Sequence, residues 1–206
     1  ASDIPVTSSP PHSWSAVTKM VTSVSFSGAL SCACAQATAL APTLTVPPIA
    51  QLYSSNLGRA LSTAQLLHGD APGDVLTDPR LRERAMGVFE GNTRPEIESQ
   101  FPEAWRLYKS LDPDYRIEGG GESIHDVQRR ALTCLEELAT THAGQTIGCV
   151  THGGLIRIVL KSILGIPFES QTRFRVQNTS VHHLIYDDQG WAIETLGSVN
   201  HLPPSQ

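Results

Sequence analysis

Three residues stand where they could handle a phosphate: Arg59, Glu83 and His152. His152 follows the apolar run Thr146-Ile147-Gly148-Cys149-Val150 and precedes Gly153 and Gly154. The run reads as a buried strand, and Gly154 to Leu160 as the helix after it. A strand ending in a glycine turn puts its last side chain at the carboxyl edge of a parallel sheet. The first N–H groups of the following helix favour an anion at that point. Arg59 falls in the first turn of a helix after Leu52-Tyr53-Ser54-Ser55-Asn56-Leu57-Gly58, and its planar fork matches phosphate oxygens. Glu83 sits in a loop with Gly87, Phe89 and Gly91, where apolar neighbours would suit a carboxyl group to donating a proton. Each residue also has an ordinary alternative: a histidine satisfied at a strand end, a surface arginine, a solvated loop glutamate.

The elements that must position these groups alternate between strand and helix. Ile49–Tyr53 is predicted as a strand and Leu57–Leu67 as a helix, with apolar residues at Leu57, Ala60, Leu61, Ala64 and Leu67. Two short helices are expected at Pro95–Ser99 and Pro102–Ser110, each with proline in its first turn. Leu111–Gly121 ends in three glycines and reads as irregular. Ser123 and Asp126 form a capping box ahead of a helix whose apolar face is Ile124, Val127, Ala131, Cys134, Leu135 and Leu138. Arg173–Tyr186 and Trp191–Leu196 are expected to form a hairpin around Asp187–Gly190. This order predicts an α/β fold: a single three-layer sandwich, its sheet mostly parallel with an antiparallel edge.

The N-terminal part is different. Residues 1–28 are rich in Ser and Pro and sustain no period beyond a weak alternation over Met20–Phe26, predicted as a short strand. They are expected to form an atypical or disordered segment ahead of the α/β domain at 29–202, which opens with a helix at Ala29–Ala41.

The chain has 206 residues, enough for one domain with a sizeable core. A net charge of −5 argues against a nucleic-acid surface, so anion binding must be local. No apolar run reaches the roughly 18 residues of a membrane span. Neither a basic region nor an apolar stretch marks a signal peptide at the start, and the absence of an initiator Met hints at a processed or truncated start. Of the four cysteines, Cys134 and Cys149 are expected as free core thiols. Cys32 and Cys34 have neither redox-pair nor zinc spacing, and a reduced, cytoplasmic setting follows.

Taken together, several segments resemble the histidine phosphatase superfamily, which includes cofactor-dependent phosphoglycerate mutases and broad-specificity phosphatases. The matching pieces are Tyr53-Ser-Ser-Asn-Leu-Gly-Arg59-Ala-Leu-Ser-Thr-Ala64, Leu81-Arg-Glu83-Arg-Ala-Met-Gly-Val-Phe-Glu-Gly91, Gly120-Gly-Glu-Ser123 and Val150-Thr-His152-Gly-Gly154. Asn178-Thr-Ser-Val181 and Asn200-His-Leu202 fit the same pattern, in order, over roughly residues 29–202. The resemblance implies a phosphoglycerate mutase-like fold that cleaves a phosphomonoester through a phosphohistidine, with neither metal nor other cofactor. It assigns Arg59 to the equatorial phosphate oxygens, with protonated His152 and the helix start at Gly153 facing the same charge. Glu83 would protonate the departing oxygen and then activate water. Ser123 is expected to cap its helix rather than touch substrate, while Asn92 and Arg94 are candidates for the far end of the substrate. The implied partner is a small phosphorylated metabolite, with no nucleic acid and no membrane; a homodimer is left open.

The chain departs from the family at the first motif, an Arg-His-Gly at the end of the first strand that supplies the nucleophile. No Arg-His-Gly occurs, and His12, in Pro10-Pro-His-Ser-Trp14, is the only histidine before His68. The nucleophile is therefore unassigned. Ser2-Asp-Ile-Pro-Val-Thr7 faintly resembles the family segment shortly after the nucleophile loop, which would place the missing strand upstream of Ala1. Three functions remain open: a phosphatase active when the nucleophile is supplied upstream, an inactive phosphate-binding or regulatory module, and a mutase. The segment at 92–118 is short for a mutase cap, which favours the phosphatase.

Overall fold

The computed structural model describes residues 16–22, 30–45 and 48–203. One six-stranded sheet runs in the order Leu76–Thr77 (β3), Gln51–Ser54 (β2), Gln145–Thr151 (β4), Ala16–Thr22 (β1), Val181–Asp187 (β5) and Gly190–Ser198 (β6). β3, β2, β4 and β1 are parallel, and β5 and β6 add the antiparallel edge. The predicted sheet type is correct.

Two expectations about strands need correction. The strand expected over Met20–Phe26 is Ala16–Thr22, and it lies centrally between β4 and β5. The central place in the sheet is thus filled by β1 and not left open for a strand from upstream of Ala1. The α/β unit therefore draws a strand from within residues 1–28. Of the other N-terminal readings, His12 and Ser2–Thr7 lie outside the described residues. The hairpin's first strand begins at Val181 rather than Arg173. A turn at Gln177–Ser180 precedes it, with Ser180 N–H donating to the Gln177 carbonyl and Thr179 at φ 57°. A β-branched residue held left-handed cannot continue an extended strand.

The helices are close to those read from the pattern: Leu30–Leu40 (α1), Gly58–His68 (α2), Arg94–Gln100 (α3), Pro102–Lys109 (α4), Ile124–Thr141 (α5) and Gly153–Ile163 (α6). The α5 start carries the expected capping box, with Ser123 Oγ accepting from Asp126 N–H and Asp126 Oδ2 accepting from Ser123 N–H. Ser123 is therefore a cap, as expected.

β4 explains the three layers. Ile147 and Cys149 point to the face covered by α5 and α6, where they pack with Leu135, Leu155, Val159 and Leu184. Val150 points the other way, toward α1 and α2, and packs with Leu40, Leu52, Ala60 and Ala64. Alternate residues of one strand thus feed two cores. A third, smaller cluster of Phe89, Ile97, Ala104 and Ile117 holds α3 and α4 as a lobe of their own. Cys134 and Cys149 are buried free thiols, as predicted, and burial pushes Cys134 up to about 12.

Candidate active site

Parallel strands deliver their carboxyl ends to one edge of the sheet, and there the chain makes four stitches between loops. β4 ends at Thr151, whose buried hydroxyl donates to the Leu81 carbonyl at 2.7 Å. β2 ends at Ser54, and Ser55 Oγ lies 2.8 Å from His152 Nε2. Asn56 Oδ1 accepts from Arg82 Nε at 2.6 Å. Glu83 then spans to α6, its two carboxylate oxygens accepting the Gly154 and Leu155 N–H groups at 3.1 Å each. Glu83 and His152 are thereby fixed to the same helix start.

Arg59, the second residue of α2, completes the grouping through its charge. His152 is only 2% exposed. Burial, then the Arg59 and Arg130 guanidinium groups, push its pKa from 6.5 down to about 3. His152 is accordingly neutral near pH 7, and the expected protonated ring is the one that faces a phosphate. The reason is that the imidazole is desolvated and two cations act on it. The Glu83 carboxylate meets backbone N–H groups at a helix N-terminus, and the residue also borders a cavity lined by Ile158 and Phe168.

Gly154 gives this contact its room, because a side chain there would push the Glu83 carboxylate aside. A Cβ built there would come within 2.9 Å of the Glu83 Cδ and nearer still to an oxygen. Gly153, the glycine singled out in the sequence, is less constrained, because its Cβ would meet only Val176 Cγ1 at 3.8 Å.

A clamp behind the site was not foreseen. Arg130, on α5, donates to the carbonyls of Arg80 at 2.6 Å, Arg82 at 2.9 Å and Glu83 at 3.2 Å. The same guanidinium pairs with both Glu122 oxygens, at 2.7 and 2.8 Å. Glu122 Oε2 also accepts the Ala85 N–H at 3.0 Å. Burial opposes ionisation of Glu122, but the Arg130 hydrogen bonds and the Ala85 N–H outweigh it and hold its pKa below 4.5. Thus Glu122, in the Gly-Gly-Glu-Ser stretch, is half of the clamp that shapes the acid loop, and the eight-residue Glu122–Arg130 spacing was its only trace in the sequence.

Asn92 and Arg94 are not drawn into this edge. Asn92 Nδ2 donates to the Val88 carbonyl at 2.9 Å. Arg94 is exposed, pairs with Glu98 at 2.8 Å and lies over the Trp105 ring at 5.5 Å. Both serve the helical lobe. Among the described residues no cluster of His, Cys, Asp and Glu could hold a metal ion, and no helix is long and apolar enough to cross a membrane.

A parallel sheet whose carboxyl edge gathers an arginine, a glutamate and a buried histidine defines a class of phosphoryl-handling α/β proteins. Residues 33–199 match the model of the histidine phosphatase superfamily (branch 1), and the chain belongs to that family. It is 36% identical over 156 residues to Arabidopsis thaliana phosphoglycerate mutase-like protein 4, covering 75% of this chain and 66% of that protein. It is 33% identical over 156 residues to a metal-independent phosphoserine phosphatase of the same plant, spanning 63% of that protein's length. Bacillus stearothermophilus YhfR superposes with a TM-score of 0.83 over 90% of this chain and 98% of its own, at 24% identity.

Proposed function

We propose that this chain binds phosphate monoesters at the edge formed by Arg59, Glu83 and His152, and that its site is of the phosphatase rather than the mutase kind. The observation that carries the reading is the double hydrogen bond of Glu83 to the start of α6, one residue from His152. This holds a carboxyl group beside an imidazole and a guanidinium at the positive end of a helix, the set that phosphoryl transfer uses for positioning and charge stabilisation. Phosphate entering between Arg59 and His152 favours the protonated ring. Glu83 then gives a proton to the departing oxygen and, for hydrolysis of a phosphohistidine, takes one from water. The metal-independent phosphoserine phosphatase among the relatives is consistent with this chemistry.

The covalent half is another matter. β1 brings the chain to the same edge, Thr22 pairing with Thr151 next to His152. The sequence that continues from there, Ser23-Val-Ser-Phe-Ser-Gly28, contains neither histidine nor arginine. In this chain the site therefore binds phosphate and turns over at most a trace of it, while phosphomonoester hydrolysis remains the reaction its acid side is shaped for. The buried free thiols fit a reducing, cytoplasmic setting.

The test is vanadate binding and aryl phosphate turnover by the purified chain, beside Arg59→Ala and His12→Ala. We expect saturable vanadate binding lost in Arg59→Ala, with turnover close to background. Absence of vanadate binding rejects the site. Robust turnover abolished by His12→Ala makes His12 the nucleophile and the chain a working phosphatase.

A further inference from the structure

Glu83 also lines a cavity of about 440 Å³. It is lined by Glu83 and Gly154 on one side and by Tyr108, Tyr115, Ile158 and Phe168 among others. Among the described residues, no carboxylate is hydrogen-bonded to two of its cations. Lys161 is 5% exposed and gives its ammonium protons to the Phe168 and Ser170 carbonyls, at 3.0 and 2.7 Å. Arg84 donates to the Glu122 and Tyr115 carbonyls, at 2.7 and 3.1 Å, and lies 5.8 Å from the Tyr108 ring centroid. A third cation, Arg157, is exposed on the wall and enters no ion pair among the described residues.

The two carboxylates of the wall, Glu83 and Asp112, offset two of these three charges and leave the wall positive by one. Glu83 spends both oxygens on the α6 N–H groups, and Asp112 accepts the Asp114 N–H at 2.9 Å. Backbone carbonyls hold Arg84 and Lys161 in place, while carboxylates act on them only at longer range, Glu122 and Asp126 on Arg84 and Glu169 on Lys161. Such a wall attracts an anion. The aromatic rings and Ile158 supply broad apolar area for a flat body beside that anion.

We propose that this cavity seats the leaving alcohol, and that it selects phosphomonoesters whose alcohol part combines an aromatic body with a carboxylate. The inference rests on the phosphate site proposed above, because Glu83 belongs to both: its carboxyl group lies where the bond between phosphate and alcohol must sit. With phosphate between Arg59 and His152, the ester oxygen faces Glu83 and the rest of the molecule extends into the cavity. Arg157 is the free fork at its mouth. Carboxylate rather than a second phosphate is indicated, because Arg84 and Lys161 have already committed donors to carbonyls and a dianion asks for more.

The experiment is calorimetric titration of the full chain with orthophosphate, phenyl phosphate and 4-carboxyphenyl phosphate. We expect 4-carboxyphenyl phosphate to bind about tenfold more tightly than phenyl phosphate, as one charge-assisted contact of ordinary strength provides. That increment disappears in Arg157→Gln, an exposed position whose replacement does not threaten folding, and persists in the control Arg106→Ala. Phe168→Ala shrinks the advantage of both aryl esters over orthophosphate. Equal binding of all three probes overturns the leaving-group subsite while leaving the phosphate site standing. A carboxyl increment that survives Arg157→Gln overturns the role of Arg157 and with it the proposed selection. Failure of every probe to bind, or binding indifferent to Arg59→Ala, removes the phosphate site itself.

Discussion

On one side of His152 the loop from Arg80 to Ala85 is tied to the rest of the molecule from three directions. Thr151 holds the Leu81 carbonyl, Arg130 holds three more carbonyls, and the start of α6 holds the Glu83 side chain. On the other side β1 arrives at the same edge in register with β4, carrying only Thr22 and then a sequence of Ser, Val and Phe. The contrast teaches that the two halves of such a site are separable. An acid loop is fixed by its own hydrogen bonds and by a helix N-terminus, none of which involves a nucleophile. A strand's place in a sheet is set by backbone pairing and length, which do not require a catalytic side chain at its end.

Supplying a nucleophile at the end of β1 has the largest expected effect. Thr22→Arg, Ser23→His and Val24→Gly together place the family's triad on the end of β1, with the imidazole one residue beyond the Thr22–Thr151 pair as His152 is. If only the covalent half is lacking, aryl phosphate turnover rises by at least about 100-fold, because a nucleophile and the groups around it act as a unit. Turnover that stays at background shows that the acid half is also unfit, and the two sides are then equally degenerate.

The clamp gives the next largest effect. Arg130→Met removes one partner of a half-buried pair and strands Glu122 together with three backbone carbonyls. We expect a loss of about 2 kcal/mol of stability by urea denaturation, below the full figure for a buried pair because both side chains keep some solvent. The pH dependence has a definite sign. Glu122 ionises in the folded chain below its ordinary 4.5, so its contribution is present above that pH and is lost as pH falls through the folded value. An unchanged urea midpoint in Arg130→Met would mean that Thr151 and α6 suffice to hold the loop.

How much of this was legible in the sequence follows from which signals are local. Periodicity and caps are local, so α2, α5, α6 and β4 lay within a few residues of expectation, and the edge carrying Arg59, Glu83 and His152 followed from strands alternating with helices. Pairing between distant segments is not local. β1 is short, lies in a stretch rich in Ser and Pro, and owes its strand state to β4 and β5 on either side, so its central place could not be read. The same holds for Ser55 beside His152 and for Arg130 across from Arg80: such contacts depend on tertiary closure. The Arg173–Ser180 stretch failed for the opposite reason, because its alternating pattern mimics a strand that Thr179 interrupts.

His152 sharpens the comparison at smaller scale. With its pKa pushed down to about 3, the ring stays neutral in the free chain from about pH 5 to 8. Between its ordinary 6.5 and that value the folded state binds fewer protons than the unfolded one, so this residue's contribution to stability falls as pH drops through that window. Nitrogen-detected NMR should therefore show a neutral imidazole, with protonation appearing on addition of phosphate or vanadate. A midpoint near 6.5 without ligand would mean that the site is open to water; no change with ligand would remove His152 from the phosphate.

The smallest expected effect comes from the lobe of α3 and α4, where the sequence placed two substrate contacts. Arg94 is exposed and its charge is matched by Glu98 on the next turn, a solvent-screened pair that contributes little. Its remaining contact is with the face of Trp105, and at an exposed site this contributes a further ~0.5–1 kcal/mol. Neither contact reaches Glu83 or His152, so Arg94→Ala should lower stability by no more than about 1 kcal/mol and leave phosphate affinity within about twofold. Asn92→Ala should behave alike for binding, since its amide serves the Val88 carbonyl. A tenfold loss of phosphate or aryl phosphate affinity in Arg94→Ala, with folding intact by circular dichroism, would show that the lobe closes over the edge when ligand arrives, and would join to the site a region that lies apart from it in the free chain.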